Sequence, residues 1–183
     1  MTFSHSADSA APDAVIETLG KAAKAAAALL ARAPGETVNA VLVTLADALH
    51  KNADLVIEAN RADVAAARAR DLSPALIDRL SLDAARIESM ARGIEAVISL
   101  PDPVGRILAE GTRPNGLLIR KLSVPLGVLG MIYESRPNVT IDAAALCLKS
   151  HNAVILRGGS ESQHSSRALH GLISNWQSAH AAA

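Results

Sequence analysis

Apolar residues recur every three or four positions through the first hundred residues, as they do along one face of a helix. This spacing predicts a helix from Pro12 to about Arg32, which the breaker Pro34-Gly35 ends. Thr37 is the predicted N-cap of a second helix, and a third runs over residues 53–70. The first part of the chain is therefore expected to be a layer of amphipathic helices.

Two further signals extend this helical part. Ser73-Pro74 combines an N-cap residue with a proline in the first turn, which is a start signal for a helix. Another apolar stripe occupies residues 87–98, and Pro101-Asp102-Pro103 ends it because proline donates no helical hydrogen bond. We expect residues 12–103 to form an N-terminal helical region, after a small, polar and disordered segment over residues 1–11.

The pattern then changes from helical spacing to short strands. Residues 106–110 and 117–122 flank the turn-rich GTRPNG and predict a strand pair within residues 104–124. The charged Arg120 and Lys121 suit an exposed edge.

The last third of the chain predicts a βαβ unit. The run 128–133 is apolar on both faces, as in a buried parallel strand. A helix over 139–150 and a second apolar strand over 153–156 follow, and a final helix runs from about Ser162 toward Trp176. Two parallel strands with one crossover are only the beginning of a doubly wound sheet, so the fold is α/β and incomplete.

Composition narrows the possible functions. Lys plus Arg and Asp plus Glu both number 18, and aromatic residues make up 2% of the chain, which argues against a nucleic-acid partner. No secretory signal and no long apolar run occur, so a cytoplasmic protein without a membrane partner is expected. The histidines show no metal-ligand spacing, and no metal site is expected.

Asn138 and Arg136 lie where the first buried strand hands over to its helix, at the edge where open α/β sheets bind ligands. The Asn138 amide could donate to a ligand or simply cap the helix. Arg136 is held extended by Pro137 and could clamp a phosphate or carboxylate, or be solvated.

A second candidate segment follows the second buried strand. It contains Arg157, Gly158, Gly159, Ser160 and Glu161. Glycines allow a backbone to approach a ligand closely, Arg157 could meet a 2′-phosphate and Glu161 a ribose hydroxyl. The alternative is a tight strand-to-helix turn capped by Ser160.

Cys147, the lone cysteine, fits a reducing compartment and lies among Ala and Leu in the middle of a predicted helix. A buried cysteine has a raised pKa and behaves as a small hydrophobe, so we interpret it as structural.

The run YESRPNVT over residues 133–140, followed by CLKSHNAVILRGG over 147–159, resembles the gamma-glutamyl phosphate reductases, a branch of the aldehyde dehydrogenase superfamily. The resemblance extends over roughly residues 15–169. It implies an aldehyde-dehydrogenase-like fold in which 12–103 are N-terminal helices, 104–124 a strand pair of the oligomerisation type, and 125–183 the start of a Rossmann-type NADP-binding domain, truncated.

The resemblance also implies an activity: NADPH-dependent reduction of L-glutamyl 5-phosphate to L-glutamate 5-semialdehyde and phosphate, in proline biosynthesis. It places the adenine ribose of NADP(H) at the segment Arg157–Glu161, an oxyanion on Asn138, and the reactive cysteine in a later domain that this chain lacks. The chain alone is then expected to be inactive. A homo-oligomer and the glutamate 5-kinase that makes the substrate are the expected partners.

Two other interpretations remain open. One is a non-catalytic helical interaction module or a degraded gene product. The other is a small independent dehydrogenase that uses Cys147.

Overall fold

A computed structural model describes residues 12–180, with side chains described over residues 13–174. The segment 1–11, predicted to be disordered, lies outside the described residues. The chain forms helices and strands in the order α1 Pro12–Leu30, α2 Gly35–Lys51, α3 Ala53–Ala69, α4 Pro74–Leu80, α5 Ala84–Ser99, β1 Ile107–Thr112, β2 Leu118–Leu122, β3 Val128–Ile132, α6 Asn138–Lys149, β4 Ala153–Arg157 and α7 Gln163–His180. A 3₁₀ turn, Ser160–Ser162, precedes α7.

The core lies where α2 packs against α5, and α6 and α7 close it from the other side. In α2 and α5 the apolar positions that recur at helical spacing are buried and the opposite face is solvated. In α1 the predicted stripe is not buried, since Val15, Ile16 and Leu19 are 45–66% exposed. The most enclosed members are Leu42, Leu49, Ile87, Ile94, Ile141 and Leu169. As predicted, residues 37–98 contain no strand; they form helices and the turns between them.

The helix boundaries confirm one predicted start and correct another. Ser73 caps α4, since its hydroxyl accepts a hydrogen bond from the Leu76 backbone N–H at 3.4 Å. Thr37 does not cap α2, because the helix already begins at Gly35 and Pro34 is its N-cap residue. Proline at this place fixes an extended backbone that enters the helix without a side-chain cap.

Strands β1 and β2 form an antiparallel hairpin that packs no face against the helical core. Thr112 pairs with Leu118 at the turn, and the register shifts between Ile107 and Ala109. Every residue of both strands is exposed, which agrees with the charged edge that the sequence predicts. The Arg120 guanidinium pairs with the Glu110 carboxylate across the strands.

Strands β3 and β4 pair in parallel, with α6 as the crossover, so the predicted βαβ unit is present. The register runs from Val128 beside Ala153 to Ile132 beside Arg157. The prediction that the first strand is buried is wrong for the described residues: Ile132 is 82% exposed. The physical reason is that α1 and α6 cover only part of this two-stranded sheet.

Buried polar groups tie α6 to the helical layer. The Lys149 ammonium, 6% exposed, donates to the Asn39 side chain at 2.8 Å and to the Ile98 carbonyl at 2.9 Å. His151 has a left-handed backbone and its Nδ1 lies 3.0 Å from the Leu30 carbonyl at the end of α1. These contacts fix the position of α6, and with it the strand ends. Over the described part of the chain, no helix is both long enough and apolar enough to cross a membrane.

Candidate functional site

The carboxyl end of β3 turns sharply into α6. Tyr133 continues the strand, since its N–H donates to the Arg157 carbonyl at 3.1 Å, and its hydroxyl lies 2.7 Å from the Thr140 hydroxyl on the first turn of α6. The fully buried Pro137 precedes the helix with φ −59°. Because both ends of the turn are fixed, the side chains that emerge from it have a defined direction.

Asn138 is the first residue of α6, and it does not cap the helix. Pro137 holds the N-cap position, and no side-chain capping hydrogen bond forms. The Asn138 amide Nδ2 instead donates to Asp142 Oδ2, one turn along the helix, at 2.9 Å. An amide nitrogen carries two N–H groups, so the other one is available to a ligand.

A cleft of about 380 Å³ opens beside Asn138, between α4, α5 and the start of α6. It is lined by Asp78, Arg79, Ser81, Leu82, Arg86, Ser89, Met90, Arg136, Asn138 and Asp142. Two of the residues that the sequence proposes, Arg136 and Asn138, therefore share one cleft. Burial raises the pKa of the Asp142 carboxyl, and the hydrogen bond from Asn138 partly opposes that rise.

The three arginines of this cleft differ in their partners. Arg86 is engaged, because its guanidinium donates to Asp78 Oδ1 at 2.6 Å and to the Ser81 carbonyl at 2.7 Å. Arg79 and Arg136 are exposed, and within the described residues neither forms an ion pair. Two cationic groups at the rim are thus free to meet an anionic ligand.

A second cleft, of about 390 Å³, lies beyond the carboxyl end of β4. It is lined by Arg157, Gly158, Gly159, Ser160, Gln163, Ser166, Arg167 and His170. Four of the five residues that the sequence singles out here therefore share a cleft, and the fifth, Glu161, is not among the lining residues. The two arginines give the cleft a positive character.

Glu161 is turned toward the β3–α6 turn instead. Its Oε2 accepts from the Ser135 hydroxyl at 3.0 Å, and its Oε1 lies 3.8 Å from the Arg70 guanidinium. Its own backbone N–H, then Ser135, lower the pKa of this carboxyl, while partial burial opposes them. The carboxylate stays ionised at neutral pH and links the two strand ends.

The two glycines of this segment have a packing role within the chain. A Cβ on Gly158 would lie 3.0 Å from the Tyr133 hydroxyl, and a Cβ on Gly159 would lie 2.9 Å from Glu161 Oε2. Their missing side chains therefore let the two strand ends approach each other.

The beginning of α7 is held by a residue that the sequence analysis overlooks. Asp63 of α3 accepts from the His164 N–H at 3.0 Å, from the Ser165 N–H at 2.8 Å and from the Ser165 hydroxyl at 2.6 Å. Ser160 does not cap the helix; its hydroxyl contacts Glu161 at 3.2 Å. An acidic residue on a helix face 100 residues away gives no local signal for such a cap.

Cys147 is 4% exposed within α6. Burial raises the pKa of its thiol, so the thiolate is disfavoured at neutral pH. The geometry gives no support to a nucleophilic role.

Comparison with known proteins extends the argument beyond this geometry. No protein-family model matches the chain. It is 55% identical over 157 residues to a gamma-glutamyl phosphate reductase of Paramagnetospirillum magneticum, a match that covers 86% of this chain and 37% of the relative. The crystal structure of the Thermotoga maritima gamma-glutamyl phosphate reductase superposes with a TM-score of 0.87 at 38% identity, covering 90% of this chain and 40% of that one.

A more distant structure shows the wider fold. The NAD-dependent benzaldehyde dehydrogenase of Corynebacterium glutamicum gives a TM-score of 0.68 at 22% identity, covering 90% of this chain and 34% of that one. The helices, the hairpin and the βαβ unit together match the N-terminal part of the aldehyde dehydrogenase fold. Within that fold the chain is similar to the N-terminal part of gamma-glutamyl phosphate reductases, as its sequence predicts. It spans less than two fifths of the length of the curated relatives that it matches.

Proposed function

We propose that this chain supplies the oxyanion donor and the adenosine end of the cofactor site to an NADPH-dependent reductase of L-glutamyl 5-phosphate. In that reaction the acyl phosphate, NADPH and a proton give L-glutamate 5-semialdehyde, phosphate and NADP. Three observations support the proposal: the reductase names of the relatives, the aldehyde dehydrogenase fold and the two clefts at the strand ends.

The observation that carries the proposal is the orientation of the Asn138 side-chain amide. Its amide is oriented by Asp142 and presents a second N–H beside a cleft at the carboxyl end of β3. A fixed donor needs no reorganisation when negative charge develops on a carbonyl oxygen, and such a donor contributes about 3–4 kcal/mol to the transition state. In an acyl phosphate this oxygen becomes negative when a nucleophile attacks the carbonyl carbon.

The second cleft fits the adenosine 2′-phosphate of the cofactor. Arg157 and Arg167 line it with His170 and supply donors for a phosphate. Ser160 adds a hydroxyl to the cleft. Glu161 contributes indirectly, because its carboxylate accepts a hydrogen bond from the Ser135 hydroxyl. NADPH, when bound, supplies the hydride for the reduction.

The nucleophile is assigned to the part of a full-length reductase that follows this segment. Cys147 is unsuitable because it is buried within α6 and its pKa is raised. We therefore expect no turnover from this chain alone, since positioning of the thiolate against the acyl group provides much of the rate.

The hairpin β1–β2 supports the proposal of a homo-oligomer. Its strands expose the apolar side chains of Ile107, Leu118 and Leu122, which are each about half accessible. An exposed strand edge can pair with another chain. The glutamate 5-kinase that makes the substrate remains the proposed enzymatic partner.

The test uses a chimaera in which this chain is fused to the remaining part of the Paramagnetospirillum magneticum reductase. The chimaera should reduce NADP when L-glutamate 5-semialdehyde and phosphate are both present. Asn138→Ala should lower kcat by about 10²–10³-fold. Asn115→Ala, in the hairpin turn, should leave kcat unchanged. Equal rates for the Asn138 and Asn115 variants would contradict the oxyanion role.

A further inference from the structure

The cleft beside Asn138 contains opposite charges that the described residues leave uncompensated. We propose that Asp142 receives the α-ammonium group of the substrate, so that this cleft selects acyl phosphates with an α-amino-acid head. The inference rests on the proposed function, and it names the residue that recognises the substrate class at the same site.

Asp142 lies beside Asn138 in the wall of the cleft. It follows Asn138 by one helical turn, so both side chains project from the same face of α6 into the cleft. Its Oδ2 accepts the Asn138 amide, while its Oδ1 has no hydrogen-bond donor among the described residues. Asp142 therefore has a free carboxylate oxygen beside the proposed oxyanion donor.

Asp142 is half-buried, and over the described residues it forms no ion pair, although three arginines line the same cleft. A partly buried carboxylate without a cation is unfavourable, and burial indeed raises its pKa. A ligand that brings its own cation removes this penalty.

Arg79 and Arg136 lie at the exposed rim without ion-pair partners among the described residues, whereas Arg86 is held by Asp78. A carboxylate inside and guanidinium groups at the rim complement a zwitterion, with the α-ammonium toward Asp142 and the α-carboxylate toward an arginine.

The dimensions agree with this orientation. The Asn138 Nδ2 and Asp142 Oδ2 atoms lie 2.9 Å apart, so the second amide N–H and the free Oδ1 are neighbouring groups in one cleft. A carbonyl and an α-ammonium group separated by two methylene groups are close enough for one ligand to meet both. The cleft volume of about 380 Å³ is at the small end of ligand sites, as a compact amino-acid derivative requires.

The experiment compares two aldehydes in the chimaera, with phosphate and NADP. One is L-glutamate 5-semialdehyde, and the other is 5-oxopentanoate, which lacks only the α-amino group. Asp142→Asn should lower kcat/KM for the amino aldehyde by about 10- to 100-fold. It should change kcat/KM for 5-oxopentanoate by less than about 3-fold. Both substrates use Asn138, so a disturbed amide would affect them equally.

Asp78→Asn is the matched control, because Asp78 lines the same cleft but is paired with Arg86. The preference for the amino aldehyde should survive this change. If Asp142→Asn does not fold, Asp142→Gln removes the same charge and should show the same selective loss.

Three outcomes would overturn the inference. An equal loss for both aldehydes would show that Asp142 acts only through Asn138 or the fold. An unmodified chimaera that uses both aldehydes equally well would exclude recognition of the amino group without any variant. An unmodified chimaera that uses neither aldehyde would instead contradict the proposed function, and this inference with it.

Discussion

In α2 and α5 the apolar side chains are enclosed, whereas in β3 the same types of side chain face outward. Leu42 and Leu49 are fully buried and Ile94 is 1% exposed, but Ile132 at the end of β3 is 82% exposed. The apolar pattern alone does not explain this difference. Helices α2 and α5 have partners on their apolar faces, and the strands of the described structure have only partial cover.

Polar side chains also differ between the helical part and the strand ends. In the helical part, Asn60 donates to the Leu80 carbonyl at 2.8 Å and accepts from the Leu82 N–H at 2.7 Å. At the strand ends, the guanidinium groups of Arg136 and Arg157 are exposed. The comparison teaches that buried polar residues such as Asn60 serve stability, while exposed side chains at the strand ends remain available for ligands.

A pair of truncations tests the comparison most strongly. Leu42→Ala should lower the free energy of unfolding by about 2–5 kcal/mol, because a fully buried side chain leaves a cavity. Ile132→Ala should lower it by less than about 0.5 kcal/mol, because its side chain is already solvated. Urea unfolding of the chain measures both. Similar losses would show that β3 is buried in solution.

The Asp63 cap provides the next test. Asp63→Ala removes the acceptor of two backbone N–H groups at the start of α7. The expected loss is about 3 kcal/mol, since charged hydrogen bonds are lost and buried donors remain. Asp47→Ala, on the exposed face of α2, should stay within about 0.5 kcal/mol. If both variants unfold alike in urea, α7 does not depend on this contact.

The helices and strands could be predicted from the sequence because their signals are local. Ser73-Pro74 contains its own cap and first turn, and the apolar run of β4 is continuous. Thr37 is not the N-cap of α2, because the helix begins earlier, after Pro34. The fixed backbone angle of Pro34 starts the helix without a side-chain cap, so a search for capping side chains misses it. The exposure of β3 depends on which elements cover it, and the sequence of the strand itself does not indicate those elements.

The candidate site was predictable only in part. Asn138 and Arg157 stand directly after strands, and strand order alone brings them to one edge of the sheet. The sequence gives no signal for Asp142 and Asp63, because their roles depend on hydrogen bonds with Asn138 and with the distant Ser165. Glu161 is predicted to meet a ribose hydroxyl of the cofactor; in the structure its carboxylate accepts from Ser135, and it is not among the residues that line the second cleft.

Arg157 tests the strand ends, where a substitution is expected to change cofactor binding and to leave the free energy of unfolding unchanged. In the chimaera, Arg157→Ala should weaken NADPH binding by about 10- to 100-fold. NADH binding should change little, because only NADPH carries the 2′-phosphate. Fluorescence titration gives both dissociation constants, and urea unfolding should be unchanged. Arg113→Ala, in the hairpin turn, is the control. Equal weakening of the two cofactors would refute the assignment.

The smallest effect is expected where the helical part itself holds local strain. Asp71 follows the end of α3 with φ 53°, a left-handed conformation that favours glycine. The Leu72 N–H donates to the Ala67 carbonyl at 3.1 Å, and the Asp71 N–H donates to the Arg68 carbonyl at 3.0 Å, which together close the helix.

Asp71→Gly removes the Cβ atom that makes a left-handed backbone unfavourable, and the two backbone hydrogen bonds at the end of α3 remain. The change should therefore raise the free energy of unfolding by about 0.5 kcal/mol. The same change in the middle of α2, Asp47→Gly, should lower it by about 0.3–0.4 kcal/mol, because glycine has a lower helix propensity than aspartate. Urea unfolding of the two variants side by side gives the sign of each effect. A loss in both would mean that the Asp71 side chain contributes more to the end of α3 than its backbone strain costs.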